Sequence, residues 1–301
     1  MPEPSPARPE IELQQGAMRL RVCPALGGAI THLSLAGFDL LRPWDGSDSV
    51  RRTGCFVLAP FSNRVGEAAF EQDGVRYPLR RLSADHPLPI HGVAWKRPWT
   101  VTEQTPDRLI LRLSHRPEGE AQLDWPFAFD LEHRLCLSET SLALQMTLLN
   151  VDSRPAPAGL GWHPYFPRHD GCALRFAAEA VWQNDAQGLP TTLATISPVW
   201  DFALERPLDA PGLDNCFVGR RGPVGIRWPG QGMQLSLSAD EALGHLVVFT
   251  PPVELGFFAV EPVSHANNAL NMPDPQGNGM RLLAPGERLQ VACRLDAART
   301  N

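Results

Sequence analysis

Phe129-Asp130-Leu131-Glu132-His133-Arg134-Leu135-Cys136-Leu137 is the stretch on which the fold reading turns. Phe129, Leu131, His133, Leu135 and Leu137 alternate with Asp130, Glu132, Arg134 and Cys136. A period of two sends one set to one face of an extended strand and the other set to the opposite face. The pattern recurs on both sides. Met18, Leu20 and Val22 alternate with Arg19 and Arg21; Leu142, Leu144, Met146 and Leu148 share one face; Met233, Leu235 and Leu237 alternate with Gln234, Ser236 and Ser238; Leu289, Val291, Cys293 and Leu295 repeat it near the C-terminus. Between these runs the chain is densely punctuated, with 25 glycines and 30 prolines in 301 residues, well above the roughly 12% of average usage. Such punctuation breaks long helices. Many short alternating strands separated by turns predict an all-β, antiparallel sandwich or barrel.

Composition narrows the function classes. The chain is 43% hydrophobic and 20% charged, enough to build a core and unlike a disordered protein. Its formal net charge of −6 gives no global attraction to nucleic acid or to an anionic membrane. No run approaches 18 apolar residues, so no spanning helix is expected. The opening Met1-Pro2-Glu3-Pro4-Ser5-Pro6 lacks a basic and apolar leader pattern, which points to a cytoplasmic protein. Lys96 is the single lysine. A phosphate-cradling Gly-Lys-Ser/Thr loop is therefore absent, and Schiff-base chemistry would rest on Lys96 alone. There is no GxGxxG between a strand and a helix, so a dinucleotide-binding domain is disfavoured, and with no HExxH and scattered histidines no structural zinc site is expected. The six cysteines, at 23, 55, 136, 172, 216 and 293, form no CxxC pair and read as free thiols of a reducing compartment. Residues 1–10 read as a loose tail and 11–301 as a single domain, with 152–158 as a loop within it.

Four segments look unlike strand filler: Asn63-Arg64 within Phe61-Ser62-Asn63-Arg64-Val65-Gly66; His91-Gly92 after a proline-punctuated loop; Gly161-Trp162-His163-Pro164-Tyr165-Phe166; and Glu261-Pro262 after Phe257-Phe258-Ala259-Val260. Singly, each has an ordinary reading: a solvated turn, a turn histidine, a core histidine, a salt-bridged strand end. A carboxylate directly after an apolar run is expected to be desolvated, which raises its pKa toward that of a useful base.

Taken together, these segments resemble the aldose 1-epimerase family, the galactose mutarotase-like group. Asn63-Arg64-Val65-Gly66 with Phe70 matches its Asn-Arg motif, and His91-Gly92 its His-Gly. His163-Pro164-Tyr165-Phe166 matches its catalytic histidine. Leu213-Asp214-Asn215-Cys216-Phe217 matches its substrate aspartate. Glu261-Pro262 matches its glutamate, with Asn267 and Asn268 following. The resemblance covers nearly the whole chain. It implies a large antiparallel β super-sandwich of more than about fifteen strands. It also implies cofactor-free interconversion of the α and β anomers of an aldose, with no metal. On that reading Glu261 is the base and His163 the acid, held on opposite sides of the sugar's hemiacetal. Asn63, Arg64, His91 and Asp214 bind the sugar, and Trp162 is a candidate to stack on it.

The chemistry agrees. Anomer exchange needs a proton removed from the C1 hydroxyl and one given to the ring oxygen, and no redox or transfer step. The partner is a monosaccharide, with no nucleic acid and no membrane, and the protein a monomer or homodimer. Competing readings are a hexose-6-phosphate mutarotase, for which Arg51, Arg52, Arg80, Arg81 and Arg97 could supply charge, a carbohydrate-binding protein without turnover, and a polysaccharide lyase. The lyase would need a helical domain for which the chain has no room.

Overall fold

The computed structural model describes residues 8–83, 86–209 and 211–300. Strands dominate it; among the described residues the only helical pieces are 3-10 turns of three to five residues. Two antiparallel sheets carry the architecture, one of eleven strands and one of nine. The nine-stranded sheet contains four of the alternating segments side by side, in the order Met233–Ala239, Arg288–Arg299, Ser141–Asn150, Phe129–Leu137. In Phe129–Leu137 every odd residue is buried and every even one half-buried, as the period-two reading predicts. Met18–Cys23 joins the larger sheet.

The centre of the larger sheet follows a different rule. Its neighbouring strands run Cys55–Leu58, Gly161–Pro167, Phe257–Val263, His245–Phe249, Asp214–Val218 and Ala180–Asn184. Cys55–Leu58 and Gly161–Pro167 are buried at every position, and Phe257–Val263 at all but its first. Both faces are covered. The inner face, with Val57, Trp162, Phe166, Phe217, Val248, Phe258 and Val260, packs on the nine-stranded sheet. Each such side chain fully buried contributes about 1.5–3 kcal/mol. The outer face carries Phe56, Leu58, Tyr165, Cys216, Val247 and Ala259 in a second cluster, roofed by Leu26, Ile90, Trp95 and Ala266 from loops.

Two segments that look like non-strand motifs are thus central strands, and each contains a proline, Pro164 and Pro262. Between them the register is Gly161↔Val263 and Tyr165↔Ala259, and pairing is interrupted in between, where those two residues lack a donor. Residues 1–7 of the expected tail lie outside the described residues, but Arg8 is 3.0 Å from Asp48, and Glu10 accepts a hydrogen bond from Thr31. Residues 156–158 of the expected loop form a short strand paired with Arg281–Leu283.

Candidate active site

Strand register builds the centre of the site. The pairs on either side of the interruption place His163 opposite Glu261, with both side chains on the outer face. His163 is also paired with Phe56 on its other neighbour, and Glu261 with Val247, which in turn pairs with Cys216. One row across the sheet is therefore Phe56, His163, Glu261, Val247, Cys216. His163 Nε2 lies 3.2 Å from Glu261 Oε1, and both side chains are almost wholly buried. The imidazole is held between rings, stacked on Phe56 with centroids 4.7 Å apart and tilted against Tyr165 at 4.4 Å.

Burial sets the electrostatics. Desolvation raises the Glu261 carboxyl well above the usual carboxylate range, with the nearby Asp214 charge adding to the rise and Arg64 opposing it. Desolvation likewise lowers the His163 imidazole to about 3, and Arg42 pushes the same way. Both shifts have the same cause: burial disfavours the charged form of each member of the pair. Each member also has an idle atom: Glu261 Oε2 and His163 Nδ1 are buried without a hydrogen-bond partner.

The remaining expected residues converge here. Asp214 is on the same face as Cys216, two residues along the strand, since successive side chains alternate. Its carboxylate is 3.4 Å from the Arg64 guanidinium; the two side chains are 43% and 25% exposed, so this is the open end of the site. Asn63 has a left-handed φ of 56° and accepts from the Arg64 backbone N–H at 2.9 Å, which aims the arginine side chain. His91 Nδ1 accepts the Asn63 N–H at 3.1 Å, leaving its proton on Nε2. The His91 ring stands edge-on to His163 at 5.3 Å. A groove of about 410 Å³ opens from Arg64 and Asp214, lined by Gln183, Asn184, Asp185 and Gln187 with Trp200. Among the described residues no group of three or more His, Cys, Asp or Glu side chains is arranged to hold a metal ion.

Trp162 does not join them. It is 1% exposed, lies in the core between the sheets and donates its indole N–H to His133 Nε2 at 3.1 Å. Its neighbour His163 points to the outer face, so Trp162 must point inward. The tryptophans on the site's side of the sheet are Trp95, in the outer-face cluster, and Trp44 and Trp182, which pack against it; the Trp182 indole nitrogen is buried without a partner. The sequence reading also gave no role to Phe56, Tyr165 or Asn267. Asn267 is fully buried with both side-chain polar atoms unpartnered. The signal available for it was a polar residue six positions after Glu261 in a chain segment that must return to the site.

The profile of the aldose 1-epimerase family matches residues 9–296. The chain belongs to the aldose 1-epimerase family. Among its relatives is the uncharacterised protein YphB of Escherichia coli strain K12, 28% identical over 91% of this chain and 94% of that one. A crystal structure from Escherichia coli K12, provisionally called an aldose 1-epimerase, superposes with a TM-score of 0.88 at 26% identity, covering 97% of this chain and 99% of that one. A galactose mutarotase-like protein from Clostridium acetobutylicum has the same fold, with a TM-score of 0.87 at 19% identity over 97% and 95% of the two chains. Membership of the aldose 1-epimerase family and the shared fold support a sugar epimerase or mutarotase enzyme. No helix among the described residues is long and apolar enough to cross a membrane.

Proposed function

We propose that the protein interconverts the anomers of a free, uncharged aldose by general acid–base ring opening. The observation that carries this reading is the buried His163–Glu261 contact of 3.2 Å, between two proton-exchanging groups whose second polar atoms are idle. Binding alone needs no such pair. In the proposed step Glu261, as carboxylate, takes the proton of the C1 hydroxyl. The C1–O5 bond breaks to leave an aldehyde, and His163, as imidazolium, gives its proton to O5. Rotation about C1–C2 and the reverse transfers close the ring on the other face. The sequence argument expects acid and base on opposite sides of the hemiacetal; the two side chains instead stand side by side on adjacent strands. That suffices, because O1 and O5 are both bonded to C1. Asp214 and Arg64 hold the sugar's hydroxyls in the ground state and transition state alike, and His91 donates near the ring oxygen.

The lining of the groove at the open end supports a neutral sugar over a 6-phosphate. Arg80 and Arg97 are taken up by Asp124, Arg52 by Asp45, and Arg51 lies 3.0 Å from His86. The groove at the open end presents amides and two carboxylates, with Arg64 as its only basic residue. Polarimetry of freshly dissolved pure anomers, with and without a 6-phosphate, tests the reading. Acceleration of at least one free aldose is expected. Binding of several sugars without acceleration of any would replace the enzyme with a binding protein. The rate profile should be bell-shaped. Its acid limb marks a second proton entering the pair, and its basic limb marks loss of the last one.

A further inference from the structure

Arg64 sits in a turn that borrows almost nothing from the sheets. Three successive backbone donors, at Ser62, Asn63 and Arg64, are all received by side chains. Ser62 N–H goes to His265 Nε2 at 3.0 Å, Asn63 N–H to His91 Nδ1 at 3.1 Å, and Arg64 N–H to Asn63 Oδ1 at 2.9 Å. The segment around His265 grips the turn again further on. Asn268 N–H donates to the Arg64 carbonyl at 3.1 Å, and Asn268 Oδ1 accepts from Gly66 N–H at 2.8 Å. His265 is in turn fixed in one tautomer, because its Nδ1 is 2.7 Å from the Ala266 carbonyl and must donate to it, which leaves Nε2 as the acceptor Ser62 needs. The ring is 1% exposed, and Gly159 lies so close that a Cβ there would sit 2.1 Å from it. Ser62 is equally buried, so without His265 its N–H has no water to turn to.

Building on the mutarotase reading, we infer that His265 is a positioning residue for the sugar site: its ring, acting through Ser62, fixes the turn that aims Arg64 at the substrate beside Asp214. A buried donor left unsatisfied is costly, and the turn relieves that cost by shifting toward solvent. The shift displaces the guanidinium from Asp214 and leaves the His163–Glu261 pair, which stands on the sheet, in place. The effect therefore falls on sugar binding and not on proton transfer.

The shape of the two amide side chains supplies the test. Asparagine can keep the bond to Ala266 but falls short of Ser62; glutamine extends an acceptor to where Nε2 stands. His265→Asn should raise KM and weaken sugar affinity about tenfold with kcat within about threefold, and His265→Gln should stay within about twofold of the parent. In an Arg64→Ala background, His265→Asn should change KM by less than about twofold, since the group it positions is gone. Unchanged KM in His265→Asn, or effects that simply multiply with Arg64→Ala, would overturn the inference. If His265→Asn does not fold, His265→Met, which refills the space beside Gly159 with no comparable acceptor, carries the same expectation. If the parent accelerates no aldose, the mutarotase reading fails on its own. Amide hydrogen exchange at Ser62 and Arg64 then decides this one: faster exchange in His265→Asn than in His265→Gln supports it, and equal exchange refutes it.

Discussion

The two faces of the eleven-stranded sheet are made by the same strands, and two histidines show how differently they are used. His133, from the other sheet, reaches the inner face and accepts the Trp162 indole N–H. His163 is on the outer face against Glu261. Both are buried, and desolvation lowers both to about 3. Burial and pKa alone therefore do not separate the core histidine His133 from His163, the proposed acid. The partner does. An indole donor asks only for a neutral acceptor, whereas a carboxyl that can exchange a proton makes an acid–base pair.

The largest expected effect breaks the comparison at its catalytic side. Glu261→Gln and His163→Asn should each lower kcat at least about a hundredfold, since general acid–base catalysis is worth about 10²–10⁴. Sugar affinity should stay within about tenfold. Near-parental rates in both variants on every responsive sugar would remove the proposed mechanism.

Acid sensitivity should make the two histidines look alike. Each has a folded pKa below its unfolded value of 6.5, so the unfolded chain takes up the proton first as pH falls. The stabilisation is intact above 6.5 and is lost on the way down toward about 3. By linkage each is worth on the order of 3 kcal/mol between pH 6.5 and 4. Urea midpoints across that range should fall steeply in the parent and less steeply in either His133→Gln or His163→Asn. A pH-independent midpoint would show that these rings are not held neutral by the fold.

Asp214→Asn sharpens the outer face. Its contacts with hydroxyls exist before the reaction as well as during it, so KM should rise about tenfold and kcat should fall no more than that. A kcat loss matching that of Glu261→Gln would give Asp214 a role in the proton transfers. The smallest effect is on the inner face. Trp162→Phe leaves His133 without its donor and should destabilise the protein by about 1–3 kcal/mol, with kcat within about threefold. A large rise in KM with unchanged stability would restore Trp162 as a sugar-stacking residue.

The strands of the nine-stranded sheet were legible because one face meets the core and the other meets water, which writes polarity into the sequence at period two. Gly161–Pro167 and Phe257–Val263 were not legible as strands. With both faces covered there is no alternation to read, and Pro164 and Pro262 argue locally against a central strand. The motifs in them were recognisable only together, by their resemblance to a family's set of motifs, since a histidine or a glutamate among apolar residues has an ordinary reading when taken singly. Trp162 was misplaced although alternation could have excluded it, because neighbours in a strand cannot both face one site. His265 gave no sign, since its role is a single bond to a backbone amide 203 residues away.

The sequence alone determined the all-β class and the absence of any phosphate-loop or dinucleotide motif, and it nominated the residues proposed as acid and base, because these are local properties of pattern and side-chain chemistry. Only the tertiary structure decided that His163 and Glu261, 98 residues apart in the chain, meet at 3.2 Å on one buried sheet face. It alone decided that Trp162 faces away from them and what holds Arg64 in place. Those outcomes depend on strand order and register, which are set by the packing of the whole sandwich and not by any one segment.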